Sequence, residues 1–270
     1  MNKKPLPKLL QYIQKIEFPH KLGICERIFG RALEKYGICW VQTAAGIEWK
    51  LNLANSNHRW IVYGVYEGTS FLNWAKRNLP PNAIVIDAGA NIGQWLLYVA
   101  QLIPQGKLLA FEPGDFAATW LTECLAHNSN LPVTLIKSGV GDKAMTGHLA
   151  AAGSAVNMGA QNQISTDGTG EPISIVRLGD ELRSRSIDRV DLLKMDVEGY
   201  EINALDGVRE YLTDHRIRAI YSELYKEDGR KVVEYLRKLG YECYAIRADG
   251  RAEKMTSLPD HLNGLFLPAG

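Results

Sequence analysis

The sequence contains few of the features that mark secreted, zinc-binding or membrane-spanning proteins. Its 270 residues include four cysteines, none of which forms a Cys-x-x-Cys pair, so neither a disulfide framework nor a zinc site is predicted. No window reaches the ~18 apolar residues of a membrane span, and the lysines near the first residue precede no continuous apolar core of a signal peptide. We therefore expect a cytoplasmic protein with reduced thiols and no stable membrane insertion.

An excess of charge is also missing. The 31 basic and 30 acidic residues leave a formal net charge of +1, and this balance favours neither nucleic acid nor an anionic membrane as a partner. No nucleic-acid partner is therefore expected. The sequence is 46% apolar, which allows a chain of this length to bury a substantial core in one enlarged domain.

The three-glycine turn of dinucleotide-binding proteins, G-x-G-x-x-G, is absent as well. Residues 84–93 read IVIDAGANIG, in which an apolar strand leads into an acidic residue and a turn with two glycines. Because the third glycine helps a backbone close on a pyrophosphate, its absence disfavours a nicotinamide-dependent oxidoreductase, as does the lack of a Tyr-x-x-x-Lys pair. The turn instead fits an adenosine-containing cofactor without phosphate, such as S-adenosylmethionine (SAM). The residues predicted to bind the cofactor tail are Asp87, Gly89, Ala90, Asn91 and Gly93.

The next two strand ends supply candidates for the nucleoside part of such a cofactor. Glu112 and Pro113 end the second apolar run, and Glu112 follows Asp87 at about the spacing expected for an acidic ribose ligand. A carboxylate there can accept hydrogen bonds from both ribose hydroxyls. Gly141 and Asp142 follow the third strand, where an acidic side chain can accept a hydrogen bond from the exocyclic amine of adenine.

A later apolar strand also ends in acidic residues. Residues 191–199 read DLLKMDVEG, and the carboxyl ends of parallel strands meet at one edge of a sheet, where ligands bind. Asp196 and Glu198 are therefore predicted to lie beside the cofactor, and Asp196 is a further candidate for binding it. The sequence also allows an ion pair between Lys194 and Glu201.

Together these segments resemble the FkbM family of SAM-dependent methyltransferases. The family patterns DxGANxG, FEP and KxDVEGxE are present at residues 87–93, 111–113 and 194–201. The resemblance covers roughly residues 62–270, with two departures: Gly114 stands where asparagine is common, and Gly179 replaces the first aspartate of a usual Leu-Asp-Asp. It implies transfer of a methyl group from SAM to a hydroxyl oxygen of a sugar, polyketide or other secondary metabolite.

The resemblance leaves the acceptor open. Family members also methylate nitrogen, including amide side chains of modified peptides, so the acceptor is a small molecule or a peptide and N-methylation is an alternative. A non-catalytic SAM-binding protein is the alternative from another class, because cofactor residues can persist after acceptor chemistry is lost.

Asp196 and Glu198 are the catalytic candidates. Removal of the proton from a hydroxyl acceptor by a general base makes its oxygen a better nucleophile toward the sulfonium carbon, and Asp196 is assigned this role, with His148 and Tyr200 as alternatives. No metal site is assigned. In a metal-dependent version, however, Asp196, Glu198 and Glu223 would hold Mg²⁺, which would polarise a vicinal diol.

The order of elements predicts an α/β fold. From residue 83 onward strands and helices alternate, with one of the helices predicted over residues 201–211, and the chain closes with two strands that have no helix between them. This pattern predicts a doubly wound, seven-stranded class I methyltransferase (Rossmann-like) sheet whose last strand is antiparallel. Residues 83–270 then form the methyltransferase domain, with a hairpin insertion over residues 143–189 near the acceptor site.

Residues 1–82 are predicted to form a helical and β extension that packs on this core. An amphipathic helix is predicted from apolar residues at helical spacing, namely Leu6, Leu9, Leu10, Ile13 and Ile16. Its apolar face packs on the domain or on a second subunit, which allows a homodimer, and a membrane-surface helix is the alternative. The aromatic-rich residues 38–65 are predicted to form short strands or a covering subdomain.

Overall fold

The structure, a computed structural model, describes residues 2–66, 69–151, 162–165, 168–257 and 261–269. Its first part contains four helices and a pair of antiparallel strands. These elements are α1 (Lys8–Ile13), α2 (Lys21–Glu34), β1 (Ile38–Gln42), β2 (Glu48–Asn52), α3 (Ser56–Val62) and α4 (Ser70–Asn78).

The rest of the described chain forms a large central sheet with its helices, and a smaller sheet that interrupts it in sequence. The elements that lead into the smaller sheet are β3 (Ile84–Ala88), α5 (Leu96–Leu102), β4 (Lys107–Phe111), α6 (Asp115–His127) and β5 (Val133–Ile136). The smaller sheet contains β6 (Gly139–Gly141), β7 (Met145–Ala151), β8 (Asn162–Ser165) and β9 (Glu171–Arg177). The chain continues with α7 (Leu178–Ser184), β10 (Leu192–Met195), α8 (Glu201–Asp206), α9 (Arg209–Thr213), β11 (Ile220–Tyr225), α10 (Lys226–Lys238), β12 (Tyr241–Ile246), β13 (Ala252–Lys254) and β14 (His261–Pro268).

The central sheet has the predicted topology. Its strand order is β13-β12-β14-β11-β10-β3-β4-β5, and the pairs from β11 through β5 are all parallel. The last strand, β14, lies between β11 and β12 and is antiparallel to both. Seven of these strands form the predicted class I methyltransferase sheet, and the short strand β13 adds an eighth at the edge. The strand order reverses between β3 and β10, so the site is expected at the carboxyl ends of these two strands.

Side-chain alternation along the central strands explains why both faces of the sheet are covered. Val85 and Leu192 are buried in a cluster with apolar residues of α1 to α6, whereas Ile86 and Leu193 are buried in a cluster with residues of α7 to α10. Successive side chains of a strand point to opposite faces. The nearly continuous apolar runs are therefore needed, because each strand is buried on both sides.

The predicted hairpin is part of a four-stranded sheet with the order β6-β9-β7-β8. β7 is antiparallel to both β8 and β9, and β6 is parallel to β9. This sheet has a small core of its own, formed by Leu149, Ile173 and Ile175. Residues 152–161 and 166–167 of the predicted insertion lie outside the described residues.

Two elements differ from the sequence-based expectation. The predicted helix over residues 201–211 is divided into α8 and α9, because Gly207 packs so closely on β6 that a Cβ there would lie 2.0 Å from the carbonyl oxygen of Gly141. Helix α3 lies within residues 38–65, where short strands were one of the two expectations. It begins after Asn55, whose side chain accepts a hydrogen bond from the Asn57 N–H at 2.9 Å, as expected of a helix N-cap.

Helix α1 lies within the predicted amphipathic segment. Leu10 and Ile13 are buried in the core, whereas Leu9, Tyr12 and Ile16 are exposed. None of the helices within the described ranges is both long and apolar enough to cross a membrane.

Candidate active site

The turn after β3 requires glycine at its first position. The N–H groups of Gly89 and Ala90 both donate to the carbonyl oxygen of Phe111, each at 3.0 Å. Gly89 has a φ of +81°, and a Cβ on it would lie 1.8 Å from the carbonyl oxygen of Asp196. The backbone at the end of β10 therefore passes directly over the turn, in space that only glycine leaves open.

The second half of the turn is fixed by hydrogen bonds and by contact with helix α6. Asn91 has a φ of +49°, and its side-chain oxygen accepts a hydrogen bond from the Ile92 N–H at 2.8 Å. Gly93 has a φ of +91°, and a Cβ on it would lie 2.8 Å from Cδ1 of Leu121. Left-handed backbone of this kind is adopted most readily by glycine and asparagine.

Glu112 at the end of β4 is a buried carboxylate held by backbone N–H groups. It is 8% exposed, and it accepts hydrogen bonds from Asn91 N–H on Oε2 at 2.8 Å and from Gly114 N–H on Oε1 at 2.9 Å. Burial raises the pKa of Glu112, and these two hydrogen bonds oppose that shift. Since each carboxylate oxygen has a second lone pair, Glu112 can still accept hydrogen bonds from a ligand.

Asp87 lies behind the turn and is bound by a lysine of the neighbouring strand. Strands β3 and β10 pair with Asp87 opposite Lys194, and Lys194 Nζ lies 2.9 Å from Asp87 Oδ1. Burial raises the pKa of Asp87 and the Lys194 ammonium opposes that shift. Asp87 is not among the residues that line the cavity described below; its carboxylate is held by Lys194, whose Nζ also donates to the carbonyl oxygen of Gly89 at 3.5 Å.

Lys194 connects this buried pair to the cavity. Burial opposes its charge, but the carboxylates of Asp87 and Asp196 outweigh burial and raise the pKa of Lys194. Its Nζ lies 3.9 Å from Asp196 Oδ2. Among the described residues Lys194 is paired with Asp87 and Asp196 and not, as the sequence allowed, with Glu201; the carboxylate of Glu201 accepts a hydrogen bond from the Gly199 N–H at 3.2 Å.

The segment after β10 brings the two predicted catalytic carboxylates to the same edge of the sheet. Asp196 is held by its N–H, which donates to the carbonyl oxygen of Ala88 at 3.0 Å, and its side chain is 41% exposed. Glu198 has a φ of +51°, a conformation that is uncommon for residues other than glycine and is often found at functional sites. Both side chains line the cavity.

A cavity of about 450 Å³ opens at this edge of the sheet, within the range of roughly 300–1,000 Å³ that is typical of small-molecule sites. Its lining includes many of the predicted residues, namely Gly89, Ala90, Asn91, Glu112, Pro113, Asp196 and Glu198. Gly93 lies behind the turn, against α6. Gly141 and Asp142 do not line the cavity, because Gly141 packs against Ile175, Tyr200 and Gly207. The segment that follows the third strand, β5, lines the cavity with Gly139 and Val140 instead, and these two residues belong to β6.

The alternative general bases lie elsewhere. Among the residues the structure describes, neither His148 nor Tyr200 belongs to the cavity lining. His148 pairs with Ser165 and Pro172 in the smaller sheet, and the ring of Tyr200 packs against Gly141.

Several lining residues were not predicted from the sequence. They include Tyr66, Gln94, Trp95, Phe116, Leu149, Ile164 and Glu171. Tyr66 comes from the N-terminal part of the chain and its ring meets that of Trp95 edge to face, with centroids 5.6 Å apart. Burial, together with the negative charge of Asp196, raises the pKa of Tyr66 to about 12. Tyr66 therefore presents a neutral phenol on the Asp196 side of the cavity. In the sequence, the neighbouring aromatic-rich residues 38–65 were the only feature close to Tyr66 that had been singled out.

The metal-dependent version of the site is not supported. Within the described part of the chain, no group of three or more His, Cys, Asp or Glu side chains is arranged to hold a metal ion. Asp196, Glu198 and Glu223 all lie in that part of the chain, so the Mg²⁺ site of these three carboxylates, which was predicted as an alternative, is not formed. The carboxylates are instead spread along the strand ends, and Asp196 faces the Lys194 ammonium.

Comparison with known proteins gives a family. The methyltransferase FkbM domain matches residues 87–243 of this chain. Methyltransferase sdnD of Sordaria araneosa is 29% identical over 213 residues, which are 67% of this chain and 82% of that protein. The 31-O-demethyl-FK506 methyltransferase FkbM of Streptomyces tacrolimicus is 29% identical over 198 residues, which are 62% of this chain and 75% of that protein. The crystal structure of methyltransferase FkbM from Methylobacillus flagellatus KT is 17% identical, with a TM-score of 0.49, over 80% of this chain and 52% of that one.

The chain thus spans about half the length of that crystallised protein. The match to the FkbM domain, in contrast, extends over more than half of this chain. It includes the turn after β3, Glu112 and the segment after β10, which are the elements that surround the cavity. The chain therefore belongs to the FkbM methyltransferase family.

Proposed function

We propose that this protein transfers a methyl group from SAM to a hydroxyl oxygen of a small-molecule acceptor, such as a sugar or a secondary metabolite. The observation that carries the proposal is that Glu112 and Asp196 line one and the same cavity. A nucleoside and a reacting centre could thus be held at the same time. The 31-O-demethyl-FK506 methyltransferase among the relatives favours oxygen as the acceptor atom.

The residues around the cavity fit SAM. The Glu112 carboxylate is buried and has free lone pairs for the two ribose hydroxyls. The turn at Gly89 brings backbone to the cavity without a side chain, which suits the amino-acid tail. Leu149 and Ile164 offer apolar surface near Glu112 for the base.

The cavity residues account for the chemistry as follows. SAM, when bound, supplies a methyl group on a positively charged sulfur. Asp196 is placed to take the proton of the acceptor hydroxyl, whose oxygen would then form its bond to the methyl carbon while the electron pair of the broken C–S bond would stay on sulfur. The ammonium of Lys194, 3.9 Å from Asp196, orients the carboxylate. Tyr66 and Trp95 line the same part of the cavity and are positioned to hold the acceptor against it.

Calorimetric titration tests the cofactor assignment first. We expect saturable binding of SAM and of its demethylated product, S-adenosylhomocysteine (SAH), and no binding of NAD. Glu112→Ala should weaken SAH binding about ten- to a hundredfold, because it removes charge-assisted hydrogen bonds to the ribose. Glu227→Ala is the matched control, since Glu227 is 71% exposed on α10 and should leave binding unchanged. Tight NAD binding without SAM binding would refute the proposal.

Turnover separates the enzyme from the non-catalytic and N-methylating alternatives. Alcohols, phenols, amines and amides are offered with SAM, and the methylated atom is identified by NMR of the product. Asp196→Asn should lower kcat by about a hundredfold or more and should leave the SAH affinity within about threefold. SAH binding with no methylated product from any class would favour a non-catalytic protein, and a methylated nitrogen would replace the hydroxyl assignment.

A further inference from the structure

The smaller sheet reaches the cavity at its Glu112 end. Leu149 of β7 and Ile164 of β8 line the cavity. A Cβ on Gly114, two residues after Glu112, would lie 3.2 Å from Cδ2 of Leu149, and a Cβ on Gly139 would lie 3.4 Å from Cδ1 of Ile164. The two apolar side chains therefore pack against two glycines, one in the loop after β4 and one in β6.

Glycine at position 114 makes this contact close. A side chain there would also lie near the carboxylate of Glu112, since its Cβ would be 3.1 Å from Oε1. Glycine at this position therefore leaves room for both Leu149 and the Glu112 carboxylate.

A hydrogen bond fixes the sheet to the same loop. The N–H of Asp115, in the first turn of α6, donates to Oε1 of Glu171 on β9 at 2.7 Å. Glu171 lines the cavity as well. Lys137, which follows β5, forms an ion pair with the Asp115 side chain. The position of β7 to β9 relative to Glu112 is therefore set by their contacts with Gly114, Asp115 and Gly139.

We propose that Leu149 and Ile164 form an apolar wall of the nucleoside subsite in the cavity that Phe116 also lines, and so determine the affinity of this protein for the adenosine part of its cofactor. The inference rests on the proposed function, because it concerns the same cavity. The smaller sheet is thereby assigned to cofactor binding, and Tyr66 and Trp95 are assigned to acceptor binding. From the sequence, the insertion was instead expected near the acceptor site. The partner that these residues recognise is a purine nucleoside, whose flat apolar faces suit aliphatic side chains.

Calorimetry with the full-length protein tests the wall, with SAH and adenosine as the two probes. Leu149→Ala and Ile164→Ala should each weaken the binding of both probes by about tenfold, since each removes apolar contact from the base. The heat-capacity change on SAH binding should become less negative, because less apolar surface is buried. Thr146→Ala is the matched control: Thr146 is exposed on β7 with its side chain on the opposite face from Leu149, and its replacement should change both affinities less than twofold.

Folding is checked by circular dichroism and thermal unfolding of each variant. If Leu149→Ala lowers the Tm strongly, Leu149→Met conserves volume and keeps the fold, and the test then rests on Ile164→Ala, whose side chain is only partly buried. Wild-type binding of SAH with both alanine variants within twofold of it would overturn the wall assignment and leave the proposed function standing. No SAH binding by the wild-type protein would overturn the proposed function and the wall together.

Discussion

Gly89 is the position at which a single methyl group should be most damaging. Gly46 has the same left-handed backbone conformation, with a φ of +84°, but no atom lies within 4 Å of the position that a Cβ would take there. At Gly89 the carbonyl oxygen of Asp196 would lie 1.8 Å from such a Cβ. Gly46→Ala should cost about 1–2 kcal/mol of unfolding free energy from its backbone conformation alone. Gly89→Ala should cost about 3 kcal/mol or more and abolish SAH binding, as measured by urea unfolding and calorimetry. Equal losses in the two variants would contradict the close approach of β10.

His58 should make the protein less stable in mild acid. It is buried, its Nδ1 accepts a hydrogen bond from the Asn52 N–H at 2.9 Å, and burial lowers its pKa to about 4. Because the unfolded chain binds the proton more readily, stability from this group is present above pH 6.5 and is lost as the pH falls from 6.5 to 4. The loss should be about 3 kcal/mol, measured as the difference between wild type and His58→Gln in urea unfolding at several pH values. Parallel pH curves for the two proteins would refute it.

The sequence located those residues of the cavity lining that directly follow a strand. Gly89, Glu112 and Asp196 each end a strand, so their meeting at one edge follows from the parallel arrangement of the sheet. Tyr66 and Leu149 could not be found in this way, because they come from separate segments that reach the cavity only after tertiary packing. The sequence pattern around a buried tyrosine or leucine is the same whether its side chain contacts the core or a ligand.

The pairing of β3 with β10 places a buried ion pair between two strands. Asp87 and Lys194 are both nearly inaccessible, with side chains 4% and 7% exposed. Lys194→Met should cost about 3–5 kcal/mol of unfolding free energy, because it leaves the Asp87 carboxylate buried without its partner. The double replacement with Asp87→Leu should recover most of this loss.

The control for this cycle is a surface pair of the same chemistry. Asp228 and Lys231 on α10 lie 2.8 Å apart with side chains 68% and 60% exposed, and removal of both should show a coupling of less than about 1 kcal/mol. Urea unfolding of the single and double variants measures both couplings. A coupling between Asp87 and Lys194 as small as that of the surface pair would show that the buried pair does not join the strands.

Strands were easier to predict than the contacts between them. Continuous apolar runs located β3, β4, β5 and β10, and the missing helix before the last strand indicated the antiparallel β14. The partner of Lys194 depends on which residue of β3 lies opposite it, and this register is set by the whole sheet. The division of α8 from α9 follows from the contact of Gly207 with β6. Because this contact is also a tertiary one, no local sequence pattern predicts it.

The N-terminal part of the chain and the central sheet share one core. Leu10, Trp49 and Phe71 belong to the same buried cluster as Val85 and Leu192 of the sheet. A chain that begins at residue 83 would expose this apolar face to water, and it would also lose Tyr66 from the cavity. We therefore expect it to be aggregation-prone or only partly folded, with strong binding of a hydrophobic dye and no cooperative unfolding transition.

The full chain should unfold in a single transition if the shared core joins its parts. Tryptophan fluorescence reports largely on the N-terminal part, because Trp40, Trp49, Trp60 and Trp74 lie there, while far-ultraviolet circular dichroism reports on all helices and strands. Coincident urea transitions by the two probes are expected, since one cluster cannot be exposed in part without loss of the rest. An earlier fluorescence transition, together with a cooperative transition in the shortened chain, would instead make residues 1–82 a separately folding unit that only covers the sheet.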